Sequence, residues 1–318
     1  MKNMNEVNWL LTLFVAPLVG FIGMYSGGFW GVGCGWLIVP SMLFFFDCTP
    51  MQAAGVGLLQ MVPSIVGTVC KEAPMIGWSH SSVGRNLVVP MALGAFCTSF
   101  CGRPINVFFN NLCGKTAIYL GFGAFMLIVG IQTIFGKGRQ YQETPPLNFT
   151  RSSRFYAFVG GLGAGVFSSV LGVGGAMVFR PVLANVFKVS ELDVARSVRL
   201  LLLTTTLVGG LNYLFNPEGF DKKILILSMA ISFGGAIGFP LGARAHRIIV
   251  AAGYARRAQQ CFAIICGIVA TNVSLALLGK ETISRYVMFG AAVFLLVFLS
   301  SWRRIAQKRV TTGEQYKN

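Results

Sequence analysis

The sequence predicts an all-α membrane protein made of two inverted repeats of transmembrane helices, with glycine-rich broken helices and one extra C-terminal helix. Composition, segment length and an internal repeat lead to this prediction. Of the 318 residues, 54% are hydrophobic and 11% are charged, against about 45–50% and 25% in ordinary soluble domains. The apolar stretches are close to the ~20 residues that a helix needs to cross a bilayer. They are therefore predicted to be membrane segments.

Short polar loops separate these segments, and the longest polar interruption contains two adjacent prolines and no periodic apolar face. We expect a first repeat at 1–136, a cytoplasmic linker at 137–153 and a second repeat at 154–283. An extra helix with a basic cytoplasmic tail follows at 284–318. The segments fall at about 8–27, 29–46, 51–70, 84–102, 114–136, 154–171, 173–187, 198–215, 222–243, 258–278 and 284–302.

An internal repeat relates the two halves. Moving the chain by 141 positions lays Gly31–Val32–Gly33 onto Gly172–Val173–Gly174, and Pro40 onto Pro181, without a gap. Such self-similarity predicts two copies of one structural unit. Other glycines coincide as well, the last two pairs with an offset of one residue: Gly20 with Gly161, Gly94 with Gly234 and Gly102 with Gly242.

Basic residues are unequally distributed between the two sides of the predicted membrane. Lys and Arg outnumber Asp and Glu by 26 to 10, but they lie at helix ends, which argues against a nucleic-acid partner. When loops are assigned alternately, 18 basic residues fall on the side of the C-terminal tail and seven on the other, with Arg180 unassigned. Because cytoplasmic loops collect Lys and Arg, we expect a cytoplasmic C-terminus and an external N-terminus in the inner (plasma) membrane. The two repeats would then be inverted, as in many secondary transporters.

Two glycine-rich stretches between apolar segments form the predicted substrate site. Each precedes a proline, so a break in the helix is expected there. Irregular backbone at membrane depth is tolerated where protein buries it or where it lines a cavity, and freed N–H groups favour an anion. Tight helix packing or a turn at the membrane surface is the alternative. The candidate residues are Gly31, Gly33, Cys34, Gly35, Gly172, Gly174 and Gly175.

Arg180 is the charged candidate for the site, since it lies in an otherwise apolar run. A charge at membrane depth costs about 2.5–3.5 kcal/mol and is by default a functional candidate. Its forked guanidinium suits an oxyanion, whereas the alternative is an arginine that snorkels to the interface. Arg196 and Arg199 are interpreted as topological charges, because Glu191 and Asp193 are near enough to pair with them.

Gln60 and Thr204 are uncharged candidates for substrate or water contact, although interhelical hydrogen bonding accounts for them equally well. An enzyme is not expected, because no nucleophile is paired with a base and His80 and His246 are placed in loops. No metal or cofactor is predicted, and the lack of a Walker-type phosphate loop argues against ATP as the direct energy source. No carboxylate lies at a predicted membrane centre, which weakens the case for an internal proton relay.

The glycine-rich stretches and the prolines that follow resemble the duplicated signature of the sulfite exporter TauE/SafE family of membrane permeases. The similarity runs through most of the chain. Neither half keeps the Thr-Ser pair of the family's next conserved stretch, and Arg180 stands where the family usually has an apolar residue. The resemblance is carried by Gly31–Val32–Gly33–Cys34–Gly35, Pro40, Gly172–Val173–Gly174–Gly175, Pro181, Ala53–Ala54–Gly55 and Val194–Ala195–Arg196.

This resemblance implies transport of small sulfur-containing anions such as sulfite or organosulfonates. We therefore expect a secondary transporter or uniporter whose partners are a small anionic substrate and the lipid bilayer. An anion channel and a permease for another small anion are the alternatives. A monovalent anion leaving a negative cytoplasm gains about 2.3 kcal/mol per 100 mV, so export could run on membrane potential, while uptake would need a co-transported ion.

Overall fold

The structure, a computed structural model, describes residues 9–46, 48–79, 81–135, 149–215 and 222–312, and these residues contain helices and no strand. Many apolar side chains on the helices face outward, among them Phe14 at 73% exposed and Phe233 at 69%. Such surfaces are favourable against lipid rather than water. Within the described ranges six helices are long and apolar enough to cross a membrane, or seven if a pair bent by 45°, Gly84–Ser99 with Gly102–Gly114, forms one span. The prediction of an all-α membrane protein is confirmed.

Twelve α-helices make up the described part of the chain. Short π-helical turns at Gly84–Val88 and Val182–Val186 extend two of them, and Gly114 interrupts the sixth. The helices are α1 (Trp9–Trp30), α2 (Gly35–Phe45), α3 (Pro50–Leu59), α4 (Met61–Glu72), α5 (Val89–Ser99), α6 (Gly102–Phe135), α7 (Arg151–Leu171), α8 (Ala176–Pro181), α9 (Glu191–Leu214), α10 (Lys222–Ala251), α11 (Ala255–Leu277) and α12 (Glu281–Thr312).

Two of the predicted membrane segments fold back on the helix before them. The helix Gly35–Phe45 has 11 residues, and at about 1.5 Å per residue this gives about 16 Å, roughly half of the ~30 Å hydrocarbon core. A Cβ added at Gly23 of α1 would lie 2.8 Å from Ile38 Cδ1, so α2 returns along α1.

The second half repeats this arrangement. The apolar helix Ala176–Val186 is again too short to span the bilayer, and a Cβ at Gly160 of α7 would lie 3.4 Å from Val182 Cγ1. The segments 29–46 and 173–187 are therefore the return arms of helical hairpins. A hairpin returns the chain to the side of the membrane from which it entered, and two full crossings do the same. The expected sides of the loops therefore do not change.

The two halves pack on each other reciprocally. The glycines that the repeat aligns are the crossing points, since a Cβ at Gly234 of α10 would collide with Pro17 O of α1. The equivalent Gly94 of α5 lies against Phe158 O of α7 in the same way. Small residues allow this close backbone approach in a membrane, where no hydrophobic effect drives helices together. Each half thus packs its helices on helices of the other half, as expected of a duplicated chain. The inverted orientation of the halves and the domain boundaries stay predictions.

Several helix boundaries differ from the predicted segments. The helix α9 begins at Glu191, seven residues before the predicted 198, because the hydroxyl oxygen of Ser190 caps it by accepting a hydrogen bond from Asp193 N at 3.3 Å. The helix α10 continues to Ala251, so the placement of His246 in a loop was wrong; its side chain is buried within the bundle. The extra C-terminal helix begins at Glu281 rather than at 284. His80 lies outside the described residues.

Candidate functional site

The helical hairpins turn at the two glycine-rich stretches, where the predicted breaks are confirmed. Four residues separate α1 from α2, and four separate α7 from α8. At Gly33 and Gly174, which the repeat aligns, φ is +78° and +82°. Residues with a Cβ pay about 1–2 kcal/mol in this left-handed region, so the turns depend on glycine. Positive φ also occurs at Gly31, Gly172 and Gly175.

The two breaks lie directly against each other. A Cβ at Gly35 would collide with Val173 Cα, and a Cβ at Gly33 would lie 3.3 Å from Val173 O. On its other side the second break packs on α3, because a Cβ at Gly57 would lie 2.6 Å from Gly172 O. The glycine stretches of both halves therefore meet in one place, with backbone rather than side chains at the contact.

Polar side chains next to the breaks come from α3–α4 and α9. The amide nitrogen of Gln60 donates to Cys34 Sγ at 2.8 Å and to Gly57 O at 3.1 Å, while its oxygen is buried without a hydrogen-bond partner in the described structure. The hydroxyl of Thr205 donates to Gly174 O at 2.8 Å. The predicted Thr204 instead donates to Leu200 O within its own helix, at 3.3 Å.

Arg180 extends from α8 of the second half to the break of the first half. Its Nη1 donates to the carbonyl oxygen of Trp30, the last residue of α1, and lies 3.3 Å from the position of a Cβ on Gly31. Its Nη2 donates to Oε1 of Glu191 at the start of α9. The two charged side chains are 13% and 14% exposed. The guanidinium is therefore largely enclosed by protein.

A second buried ion pair lies nearby. Arg199, 2% exposed, donates from Nη1 to Glu72 Oε2 of α4 at 2.5 Å, and its Nε and Nη2 are buried without a partner among the described atoms. The expected pairing of Arg196 with Asp193 is confirmed at 3.6 Å. The expected pairing of Arg199 with an acidic residue of its own helix was wrong, because Glu191 faces Arg180 instead.

His246 of α10 completes this group of charged and polar side chains. Its Nε2 lies 3.9 Å from Oε1 of Glu191, and the imidazole is buried next to the ring of Phe29. This group was not predicted from the sequence, because its members come from α4, α8, α9 and α10 and meet only when these helices pack. The described residues include no group of three or more His, Cys, Asp or Glu side chains that could hold a metal ion.

Comparison with known proteins decides the family. Residues 16–273 match the sulfite exporter TauE/SafE family. The chain belongs to this family. A probable membrane transporter protein from Methanocaldococcus jannaschii is 27% identical over 243 residues, which are 73% of this chain and 84% of the relative. No solved structure matches the chain.

Membership in the TauE/SafE family makes the protein a multi-pass membrane transporter with a small-molecule substrate. The matched range contains the second hairpin, the first hairpin apart from the start of α1, both glycine breaks and both buried ion pairs. The features described above therefore lie in the part of the chain that the family shares.

Proposed function

We propose that the protein is a secondary transporter or uniporter that moves a small sulfur-containing oxyanion, such as sulfite or an organosulfonate, across the cytoplasmic membrane without a chemical step. The observation that carries the proposal is the position of Arg180, whose guanidinium lies at the break between Trp30 and Gly31. A planar fork of N–H donors matches the oxygens of sulfite or a sulfonate. The substrate class otherwise rests on the family's description as sulfite exporters.

The proposed site contains both breaks and the side chains beside them. Backbone N–H groups that leave the helices at a break can donate to an anion. Gln60 adds an amide in contact with Cys34, and Thr205 joins the second break through Gly174. Thr204 lies next to Thr205 on α9, but its hydroxyl donates to Leu200 O within that helix.

Close packing of the breaks favours a carrier over an open channel. Gly35 and Val173 leave no space for a Cβ between them, and Gly57 lies equally close to Gly172. Passage of an anion at this point requires the two hairpins to move relative to each other. Alternating access by movement of one repeat against the other is the usual mechanism of transporters with duplicated halves.

The proposed orientation places the N-terminus outside and the C-terminus in the cytoplasm, with the halves inverted. The hairpin of α1 and α2 would then enter from outside and the hairpin of α7 and α8 from inside. This leaves the basic residues distributed 18 to seven in favour of the cytoplasm, as expected for a protein of the inner membrane.

Flux into proteoliposomes tests the proposal. Purified full-length protein is reconstituted, and uptake of radiolabelled sulfite, sulfoacetate, taurine and thiosulfate is measured with and without an imposed potential. Saturable flux with counterflow and no single-channel currents is expected for at least one sulfur oxyanion. Flux at the level of protein-free liposomes for every one of them would contradict the proposed substrate class, and discrete channel currents would favour an anion channel.

A further inference from the structure

The carboxylate of Glu191 occupies donors that an oxyanion on Arg180 would use. Nη2 of Arg180 donates to Oε1 of Glu191, and Nη1 donates to Trp30 O beside the break. Both charged side chains are largely enclosed by protein. An oxyanion that binds through both Nη atoms of the guanidinium therefore competes with this carboxylate for Nη2.

We propose that anion binding at Arg180 is coupled to protonation of Glu191, so that the protein carries one proton with each anion. This inference rests on the function proposed above and names its coupling ion. It gives a role to Glu191, which the substrate site alone does not use.

The physical reason is the environment of the displaced carboxylate. A buried carboxylate that loses its cation keeps the desolvation cost of its charge without the compensating attraction, and taking up a proton removes that cost. The arriving anion adds a second negative charge at the same place, which disfavours the ionised carboxylate further. When Glu191 is paired with Arg180, the cation compensates the desolvation cost of the carboxylate and no second negative charge is present. The ionised form is then favoured.

The charged groups around Glu191 leave Arg180 as its ion-pair partner. From α10, His246 Nε2 lies 3.9 Å from Oε1, beyond hydrogen-bond distance. On α9 itself, Asp193 is paired with Arg196 at 3.6 Å. Glu191 also lies in the first turn of α9, where the helix dipole interacts favourably with a carboxylate.

Two further basic residues are Arg199 on α9 itself and Arg247 on α10. Arg199 is already hydrogen-bonded to Glu72 of α4 at 2.5 Å. Arg247 is next to His246 in the sequence. Because Arg199 already has an acidic partner, it does not replace Arg180 as the cation of Glu191.

The transport cycle balances in charge and atoms. One proton from solution joins Oε1 of Glu191 when the anion binds, and it leaves to the opposite solution when the anion dissociates and the ion pair with Arg180 re-forms. No covalent bond is made to the anion and no electron is transferred. For a monovalent sulfonate the proton and the anion cancel in charge, so its transport follows a pH gradient rather than the membrane potential.

The test uses isethionate, a monovalent sulfonate that stays ionised at all pH values used and so carries no proton itself. Proteoliposomes hold the full-length protein, and valinomycin with equal potassium on both sides sets the potential to zero. Radiolabelled isethionate is expected to accumulate on the alkaline side, by about tenfold for each pH unit if one proton accompanies each anion. A pH dye in an alkaline lumen should report acidification when isethionate is added outside.

Variants at two nearby carboxylates separate coupling from folding. Glu191→Gln keeps a hydrogen-bond acceptor for Arg180 but cannot be ionised, so counterflow of isethionate should continue while accumulation driven by the pH gradient is lost. Glu191→Asp should retain coupling. Asp193→Asn, on the same turn but paired with Arg196, is the matched control and should behave as the wild type.

The outcomes distinguish the coupling from the function on which it rests. Isethionate flux in the wild type that ignores the pH gradient overturns proton coupling and leaves the transport function intact. Coupling retained in Glu191→Gln also overturns it. If neither isethionate nor any other sulfur oxyanion moves in the wild type, the proposed function itself is wrong.

A binding measurement on the wild type decides the matter if Glu191→Gln does not fold. Above the pH at which Glu191 protonates in the complex, isethionate affinity should fall by up to about tenfold per pH unit. Affinity that is constant from acidic to alkaline pH overturns the proposal.

Discussion

The guanidinium of Arg180 in the second half donates a hydrogen bond to the carbonyl oxygen of Trp30, which ends α1 in the first half. Carbonyl groups in the last turn of a helix lack partners within the helix, so a cation there satisfies one of them and opposes the negative end of the dipole. Trp30 is also held from α11, because its indole N–H donates to Ala258 O at 2.8 Å. Arg180 is thus placed at the break by a fixed acceptor as well as by Glu191.

Arg180→Gln is expected to weaken sulfonate or sulfite binding by about 1.5–3 kcal/mol, the range for a hydrogen bond to a charged group. This corresponds to a rise in Kd of about tenfold to a hundredfold. Arg180→Lys should recover only part of the affinity, because a point charge replaces the two-pronged donor. Ligand-induced thermal shift and flux competition, both normalised to folded protein, measure the change.

Arg196→Gln is the matched control for this prediction. Arg196 belongs to the same cluster of basic residues but pairs with Asp193 at 3.6 Å, with 29% of its side chain exposed. Partly exposed pairs of this kind contribute about 0–1 kcal/mol, so affinity should stay close to that of the wild type. Unchanged affinity in Arg180→Gln would remove Arg180 from the site and leave backbone amides as the anion ligands.

Gly174→Ala is expected to abolish transport and lower the melting temperature. The backbone term alone is about 1–2 kcal/mol for a Cβ in the left-handed region, and the new Cβ would also collide with Leu202 and lie 3.0 Å from Met61 Sδ. Gly163→Ala in α7, where nothing lies within 4 Å of an added Cβ, should leave transport unchanged and gain about 0.5–1 kcal/mol. Wild-type flux per folded molecule in Gly174→Ala would show that the second break does not form the site.

The fold could be predicted largely from sequence because its main signals are local or periodic. Apolar length predicts helices that cross a membrane, and the 141-residue shift predicts that both halves break at the same place. The sequence does not decide whether the segments 29–46 and 173–187 cross the membrane or re-enter, since hydropathy does not distinguish a segment that crosses from one that turns back. The start of α9 could have been found, because Ser190 followed by Asp193 three residues later is an N-terminal capping pattern.

The charged partners in the site could not be predicted in the same way. Glu72 and Arg199 are 127 residues apart, and both lie near helix ends, where charged residues ordinarily reach water. Their burial depends on how α4 and α9 pack, and this packing cannot be predicted from the sequence of either helix alone. Thr205 was missed for a related reason, since three successive threonines give no indication of which one faces the break.

The buried pair of Arg199 and Glu72 is expected to be a strong determinant of stability. Arg199→Gln leaves Glu72 inside the protein without its cation, a change that costs about 3–5 kcal/mol in buried ion pairs. Changing Glu72→Gln in addition should recover most of the loss, because two neutral amides can still hydrogen-bond. Thermal unfolding of the two single variants and the double variant in detergent gives the coupling energy. Additive losses would show that the two side chains do not interact.

Cysteine labelling tests the two hairpins and the orientation together. If α1 and α2 form a hairpin, Thr49→Cys lies on the same side as Asn5→Cys, whereas a single broken span through both helices would separate them. Ser152→Cys and Lys188→Cys test the hairpin of α7 and α8 in the same way. On a background without native cysteines, an impermeant maleimide should label the first pair from outside, and the second pair and Gln315→Cys from the cytoplasmic side. If the two cysteines of a pair are labelled from opposite sides, the corresponding hairpin is contradicted. If both pairs are labelled from the same side, the inverted repeats are contradicted.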